Sequence, residues 1–332
     1  MLLFLHALAH AQDAVSLELV QRAQQGIDLP KVSVIANVNT EALTLELRCG
    51  QTPVSATGQP RAGQRLEVEI PLSTPGPAHC SGSLALTLPD GAQGSMPLAF
   101  DVELLAPIEI VVDPQSVDVE SQTLSLSLSR EANRVEVTAS GLDGEVGQGS
   151  LNVQGIPAGS TIALPWSQTD GAEVLRLHVK AEDQDGFWSA VDLFPWSYAI
   201  PHEDVVFNTN EATIQDSENE KLTAAMEEIV AVQQKYGQHA EINLFVAGYT
   251  DTVGDAASNR TLSAQRARAI AAWFQQAGFS GTIYFQGFGE AGQLVATGDN
   301  VDEPANRRAA YIIAAQPPPA SPMLPTTQWT AL

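Results

Sequence analysis

The sequence predicts a multidomain chain: two all-β, immunoglobulin-like sandwiches followed by an α/β sandwich of order β-α-β-α-β-β. Three observations carry this. From residue 12 to about 200, apolar and polar residues alternate at period two, in runs such as VSLEL, LTLELRC and TLSLSLS. That period belongs to strands with one buried face. Turn residues break the runs at short, regular spacing, and no segment there is long enough for a 3.6-residue stripe. After Asp204 the pattern changes to strands alternating with amphipathic helices.

Taken in order, residues 1–11 (MLLFLHALAHA) read as a short secretory signal. Leu2 to Leu8 form its apolar core and Ala9-His10-Ala11 is an A-x-A cleavage pattern. Residues 12–105 are the first sandwich, with runs VSLEL, KVSVIANV, LTLELRC, RLEVEI, SLALTL and PLAFDVEL; Pro53, Gly58 and Asp90-Gly91 fall at turns. Ala106-Pro107 marks a boundary. Residues 106–200 repeat the grammar in IEIVV, VDVE, TLSLSLS, RVEVTA, SLNV, EVLRLHVKA and FWSAVDLF. Asp143-Gly144, Asp170-Gly171 and Asp185-Gly186 are hairpin signals. The two halves are candidate repeats of one module, although no motif recurs.

Residues 201–315 form the α/β domain. Val205–Phe207 reads as a first strand. Ser217 and Glu220 have capping-box spacing before a helix with Leu222, Met226, Ile229 and Tyr236 on one face, ended by Gly237. The strand Ile242–Gly248 follows. Ser263 is the expected cap of a second helix carrying Ala267, Ile270, Phe274 and Ala277, ended by Gly278. The strands TIYFQGFG and YIIAA complete the domain. Residues 316–332, QPPPASPMLPTTQWTAL, read as a proline-rich disordered or extended tail.

Bulk properties narrow the function. In 332 residues the formal net charge is −23, and no Lys/Arg cluster is present. Nucleic acid and anionic lipid are therefore not expected partners. No apolar run reaches the roughly 18 residues of a transmembrane helix. Cys49 is in phase with Leu43, Leu45 and Leu47, and Cys80 with Leu84, Leu86 and Leu88, so both face a sheet interior. In an exported chain they read as one buried disulfide, stabilising by roughly 3 kcal/mol. The alternative is two unpaired core thiols. In EDQDGFW, Asp183, Asp185 and Gly186 mimic the start of a calcium loop, but no Glu holds its twelfth position, and a hairpin turn is the plainer reading. No metal or cofactor is expected. Trp166, Trp188 and Trp196 read as packing residues, with a sugar-stacking platform as the alternative.

The stretch AGYTDTVGDAASNRTLSAQRAR, Ala247 to Arg268, brings chemistry to the open end of a sheet. Asp251 follows a strand end. Arg266 falls near the third position of a helix capped by Ser263, where a cation opposes the macrodipole and so has another task. One carboxylate and one guanidinium brought together can hold a zwitterion. Alternatively, the two pair with each other and cap the loop.

GYTD (Gly248 to Asp251), Gly254, Asn259, LSAQRA (Leu262 to Ala267), GFGE (Gly287 to Glu290) and NRR (Asn306 to Arg308) together resemble the OmpA-like peptidoglycan-binding domain family. The resemblance covers roughly residues 204 to 315. It implies non-covalent binding of the diaminopimelate-containing stem peptide of the bacterial cell wall. By that resemblance Asp251 accepts from the diaminopimelate amine and Arg266 makes a bidentate bond to its carboxylate. The Thr250 and Asp251 backbone helps, Asn259 orients the loop, and either Arg307 or Arg308 supports the site. Tyr249 stands where the family usually has His, at the expected rim of the pocket. Ala309 stands where it usually has Val.

The expected function is thus that of a periplasmic or envelope protein of a Gram-negative bacterium, tethered to peptidoglycan, with the sandwiches reaching another envelope protein. A second reading makes the sandwiches the main functional part, an adhesion or partner-binding module merely addressed to the wall. A remote third is a cell-wall hydrolase using Asp251 and Asp255 as a carboxylate pair. HExxH, GxSxG and a catalytic Cys are all missing from the sequence, so no enzyme is expected.

Overall fold

A computed structural model describes residues 13–208, 210–326 and 328–332. The expected secretory signal, residues 1–11, lies outside the described residues. The chain forms two compact units: residues up to Glu109 together with Asp183–Trp188, and Ile110–Glu182 together with Ser189–Leu332.

The first unit contains β1 (Val15–Val20), β2 (Arg22–Gln24), β3 (Lys31–Ala36), β4 (Ala42–Cys49), β5 (Thr52–Gly58), β6 (Arg65–Glu69), β7 (Gly76–Thr87) and β8 (Gln93–Leu105). They make a three-stranded sheet, β1-β3-β6, and a five-stranded sheet, β2-β8-β7-β4-β5. Strict alternation buries Leu43, Leu45, Leu47 and Cys49 on one face of β4, against Val32 and Val34. Cys49 lies directly opposite Cys80 in the β4/β7 register, and the two form the expected disulfide. Pro53 and Gly58, read as turn residues, belong to β5 instead. β5 is an edge strand, where a proline leaves no ladder bond unmade.

The second sandwich comprises β9 (Ile110–Val112), β10 (Thr123–Leu128), β11 (Arg134–Gly141), β12 (Gly144–Asn152), β13 (Ile162–Pro165), β14 (Ser167–Gln168), β15 (Arg176–Glu182) and β16 (Trp188–Leu193). Its sheets are β13-β10-β9 and β14-β12-β11-β15-β16. Leave out the short β2 and β14 and number the strands of each sandwich afresh. Both then read as a sheet 1-2-5 beside a sheet 4-3-6-7. The repetition absent from the sequence motifs is present in the strand order.

Asp143-Gly144 and Asp185-Gly186 do turn hairpins, with Gly144 and Gly186 at positive φ. Asp170-Gly171 does not, because β14 and β15 are not neighbours. Val117–Glu120, read as a strand, is mostly turn: the Asp118 carboxylate accepts from Ser121 N. In EDQDGFW the Asp183 carboxylate accepts from the backbone of Asp185 and Phe187 and closes the turn on itself. Trp166 and Trp196 are buried, while Trp188 is 56% exposed.

The α/β part contains β17 (Ser197–Ala199), α1 (Asn219–Tyr236), β18 (Asn243–Tyr249), α2 (Ala256–Gln276), β19 (Ile283–Gly289), β20 (Ala309–Ala314) and β21 (Thr330–Ala331), in sheet order β17-β20-β18-β19-β21. Leu222, Ile229, Ala267, Ile270 and Phe274 of the helices bury against Leu244 and Val246 of β18. Leu175 and Trp196 extend the same core, and the Trp196 indole and Tyr236 hydroxyl both donate to the Glu173 carboxylate.

Four expectations are corrected here. Val205–Phe207 is not a strand; Ser197–Ala199 takes that place. The backbone around Val206 bonds to side chains instead, Val206 N to the Glu218 carboxylate and Asp204 O to Lys221 Nζ. Ser217 does not cap α1, which is entered through a 3-10 turn, Asp216–Glu218. Ser263 does not cap α2. Asp255 does, accepting from Ser258 N, so Arg266 stands mid-helix and the macrodipole argument falls. Finally, the proline-rich tail is docked. β21 pairs with Tyr284 and Phe285 of β19, and Leu324 and Trp329 cover Phe245 and Ile312 on the sheet face opposite the helices. β18 is apolar on both faces, so the second face needs a cover, which the tail's apolar residues supply.

Candidate functional site

The site grows from the end of β18. Gly248 and Gly287 lie under α2, and a Cβ on Gly287 would sit 2.6 Å from Ala264 Cα and 2.7 Å from its Cβ. Only glycine lets the helix come this close. Ser263, fully buried, accepts from Gly289 N at 2.9 Å and locks helix to strand. The β18/β19 register shifts at Gly248/Tyr249, and Thr250 N then bonds to Gly289 O at 2.8 Å. The chain leaves the sheet with Asp251 held just beyond it.

Asp251 is 7% exposed. Its Oδ1 accepts from Val253 N at 3.2 Å, and Arg307 Nη1 donates to Oδ2 at 2.6 Å. The same Nη1 also pairs with Asp302. Asn259, buried in the first turn of α2, donates to Val253 O at 3.0 Å and to the Glu290 carboxylate at 2.8 Å. It thereby fixes the loop that presents Asp251.

Among the described residues, Arg266 makes no ion pair. Its Nε donates to Glu211 O at 2.9 Å, its Nη2 to Asn208 O at 3.2 Å, and its guanidinium lies 5.0 Å from the Phe207 ring centroid. Burial holds its pKa below the ordinary arginine value; Arg307 pushes the same way and Asp251 opposes both. Arg266 thus feels both charges without touching either. The alternative in which Asp251 and Arg266 pair with each other is corrected: the cation on Asp251 is Arg307. Hydrogen bonds to Asp251 and then Asp302 raise the pKa of Arg307.

Arg308 points elsewhere. It stacks on the Tyr249 ring, its guanidinium carbon 3.9 Å from the centroid, and donates to Gly292 O at 2.7 Å. Tyr249 does not form a pocket rim. It is 3% exposed, and its hydroxyl donates to Met323 O at 2.6 Å in the docked tail. Burial pushes its pKa up to about 12, partly opposed by Arg308. Thr250 is buried with its N–H already bonded to Gly289 O, so that donor is not open to a ligand.

Three residues without a sequence-derived role prove structural. Asn306, fully buried, accepts from Leu294 N and Val295 N and donates to Val295 O. Thr252 ties the Asp251 loop to Gly298 O and Val301 N. Glu290 holds Asn259. Asn306 and Glu290 sat within the quoted motifs NRR and GFGE; Thr252 carried no signal. Asp255 does not have the setting of the acid in a carboxylate pair. Its carboxylate accepts from the Ser258 N–H and hydroxyl, which lowers its pKa, whereas an acid catalyst needs a raised one. Among the described residues, no group of three or more His, Cys, Asp or Glu could hold a metal.

Residues 206–307 match the family model described as the OmpA family, and the N-terminal region has no family match. Outer membrane protein A of Shimwellia blattae is 33% identical over 111 residues, which is 33% of this chain and 42% of that protein. The chain therefore spans less than half the length of that relative. Among solved structures, the OmpA-like domain of FopA1 from Francisella tularensis subsp. tularensis SCHU S4 shows 20% identity, covering 45% of this chain and 77% of its own, at a TM-score of 0.27. The peptidoglycan-associated lipoprotein from Burkholderia pseudomallei shows 19% identity, covering 33% and 88%, also at 0.27. The assignment rests on the sequence match.

Proposed function

Residues 206–307 are an OmpA-family domain, and from that premise we propose that they bind peptidoglycan non-covalently, through the diaminopimelate of its stem peptide. One observation carries this reading. A nearly buried carboxylate, Asp251, and a half-buried guanidinium with no carboxylate partner among the described residues, Arg266, sit within electrostatic range at one end of the sheet. Burying an arginine without an anion is unfavourable unless an anion arrives. A zwitterionic head group supplies it. Its ammonium donates to Asp251, and its carboxylate accepts from Arg266. Asn259 keeps the loop in place through Val253 and Glu290. Of the two arginines in NRR, Arg307 is the one that reaches Asp251, while Arg308 stacks on Tyr249.

On this reading the chain tethers its sandwiches to the cell wall, in the envelope of a Gram-negative bacterium. The repeated strand order supports taking the sandwiches as two immunoglobulin-like modules that reach a further envelope partner. The test is co-sedimentation with purified peptidoglycan. Wild type should pellet with the wall, and free meso-diaminopimelate should release it. Asp251→Asn keeps the acceptor for Val253 N and removes the charge together with the oxygen that accepts from Arg307; Arg266→Gln removes the other charge. Each should weaken binding about 10- to 100-fold, the loss of a charge-assisted hydrogen bond, with an unchanged circular dichroism spectrum. Wild-type pelleting by both variants would refute the proposal.

A further inference from the structure

The site has a fourth charge that the binding scheme above leaves without a task. Asp302 pairs with the same Arg307 nitrogen that holds Asp251. The two acids differ sharply in setting: the Asp251 side chain is 10% exposed and that of Asp302 is 73% exposed. Asp302 and Arg307 flank a 3-10 turn, Pro304–Asn306. The turn is closed by the Glu303 carboxylate on Ala305 N and anchored by buried Asn306. The backbone between them is fixed, so a change of partner falls to the Arg307 side chain alone.

Resting on the reading that Asp251 receives the ligand ammonium, we propose that Asp302 is a positioning residue that takes Arg307 off Asp251 as the ligand enters. Charge counting supports this. Asp251, Asp302, Arg266 and Arg307 sum to zero, and a zwitterion adds one charge of each sign. Every charge finds an opposite partner in one arrangement: ammonium on Asp251, carboxylate on Arg266, Arg307 on Asp302. Without Asp302, Arg307 has no second anion among the described residues and competes with the ammonium for the buried carboxylate. Because one nitrogen already bridges both acids, the exchange keeps one contact while releasing the other, and no cation is left bare on the way.

Titration calorimetry of the full chain with meso-diaminopimelate tests this. Asp302→Asn should weaken binding about 3- to 5-fold, the range of an exposed ion pair. Asp302→Glu should restore it. Arg307→Met should bind at least as tightly as wild type, because the competitor is gone, and adding Asp302→Asn to it should change nothing. Asp302→Asn binding like wild type, or its loss persisting beside Arg307→Met, would overturn the exchange while leaving Asp251 as the ammonium site. Absence of binding by wild type would overturn both. Asp302 lies in the exposed loop, so its variants fold.

Discussion

Replacing Gly287 by alanine tests the idea that a close helix–strand approach builds the site. The added Cβ would lie 2.6 Å from Ala264 Cα and 2.7 Å from Ala264 Cβ, against the 3.5–4.0 Å of a relaxed carbon contact. Neither side can yield by rotating a side chain, since one is a helix backbone and the other the middle of a sheet. Overpacking of this kind costs typically 1–3 kcal/mol, and a rigid clash belongs at the upper end, about 3 kcal/mol. For a unit of this size about 2–4 °C of Tm is lost per kcal/mol, so the transition should fall by roughly 6–12 °C. The same push moves α2, which carries Asn259 and Arg266, so binding to peptidoglycan should weaken as well. Gly298 is the control: nothing lies within 4 Å of a Cβ there, and its φ is not positive. Gly298→Ala should stay within about 0.5 kcal/mol of wild type. The assays are thermal melting followed by circular dichroism and co-sedimentation with peptidoglycan. A Gly287→Ala protein melting with wild type would show that α2 does not rest on this glycine.

Two further outcomes follow from other parts of the fold. Converting both Cys49 and Cys80 to alanine opens a loop of 31 residues and should remove roughly 3.5 kcal/mol of stability in urea unfolding, leaving peptidoglycan capture intact because the bond lies in the other unit. Tyr249, with its pKa raised to about 12 by burial, contributes stability that is complete below about pH 10 and is lost as pH rises toward 12, because the unfolded chain ionises first. Tyr311, raised by burial as well, acts in the same direction. Tyr249→Phe should flatten part of that alkaline slope in melts recorded from pH 9 to 12, and an unchanged slope would contradict the burial.

Local pattern determined much of this protein. Period-two alternation placed β1, β3, β4, β7, β8, β10 and β11 and put Cys49 and Cys80 on inward faces, because a strand's burial is written in every second residue. The 3.6-residue stripe identified the buried faces of α1 and α2 for the same reason. The motifs GYTD, LSAQRA, GFGE and NRR pointed to the candidate site, since closely packed glycines and loop-fixing amides sit at set spacing. What only the tertiary structure decided was who meets whom. Asp255, not Ser263, caps α2, and that choice turns on where the Asp251 loop leaves the sheet. The docked tail follows from the second apolar face of β18, which local composition cannot reveal in a proline-rich segment. Arg307 rather than Arg266 occupies Asp251, although 56 positions separate them. Such a pairing depends on two loops arriving at the same sheet end, and no window of sequence contains both.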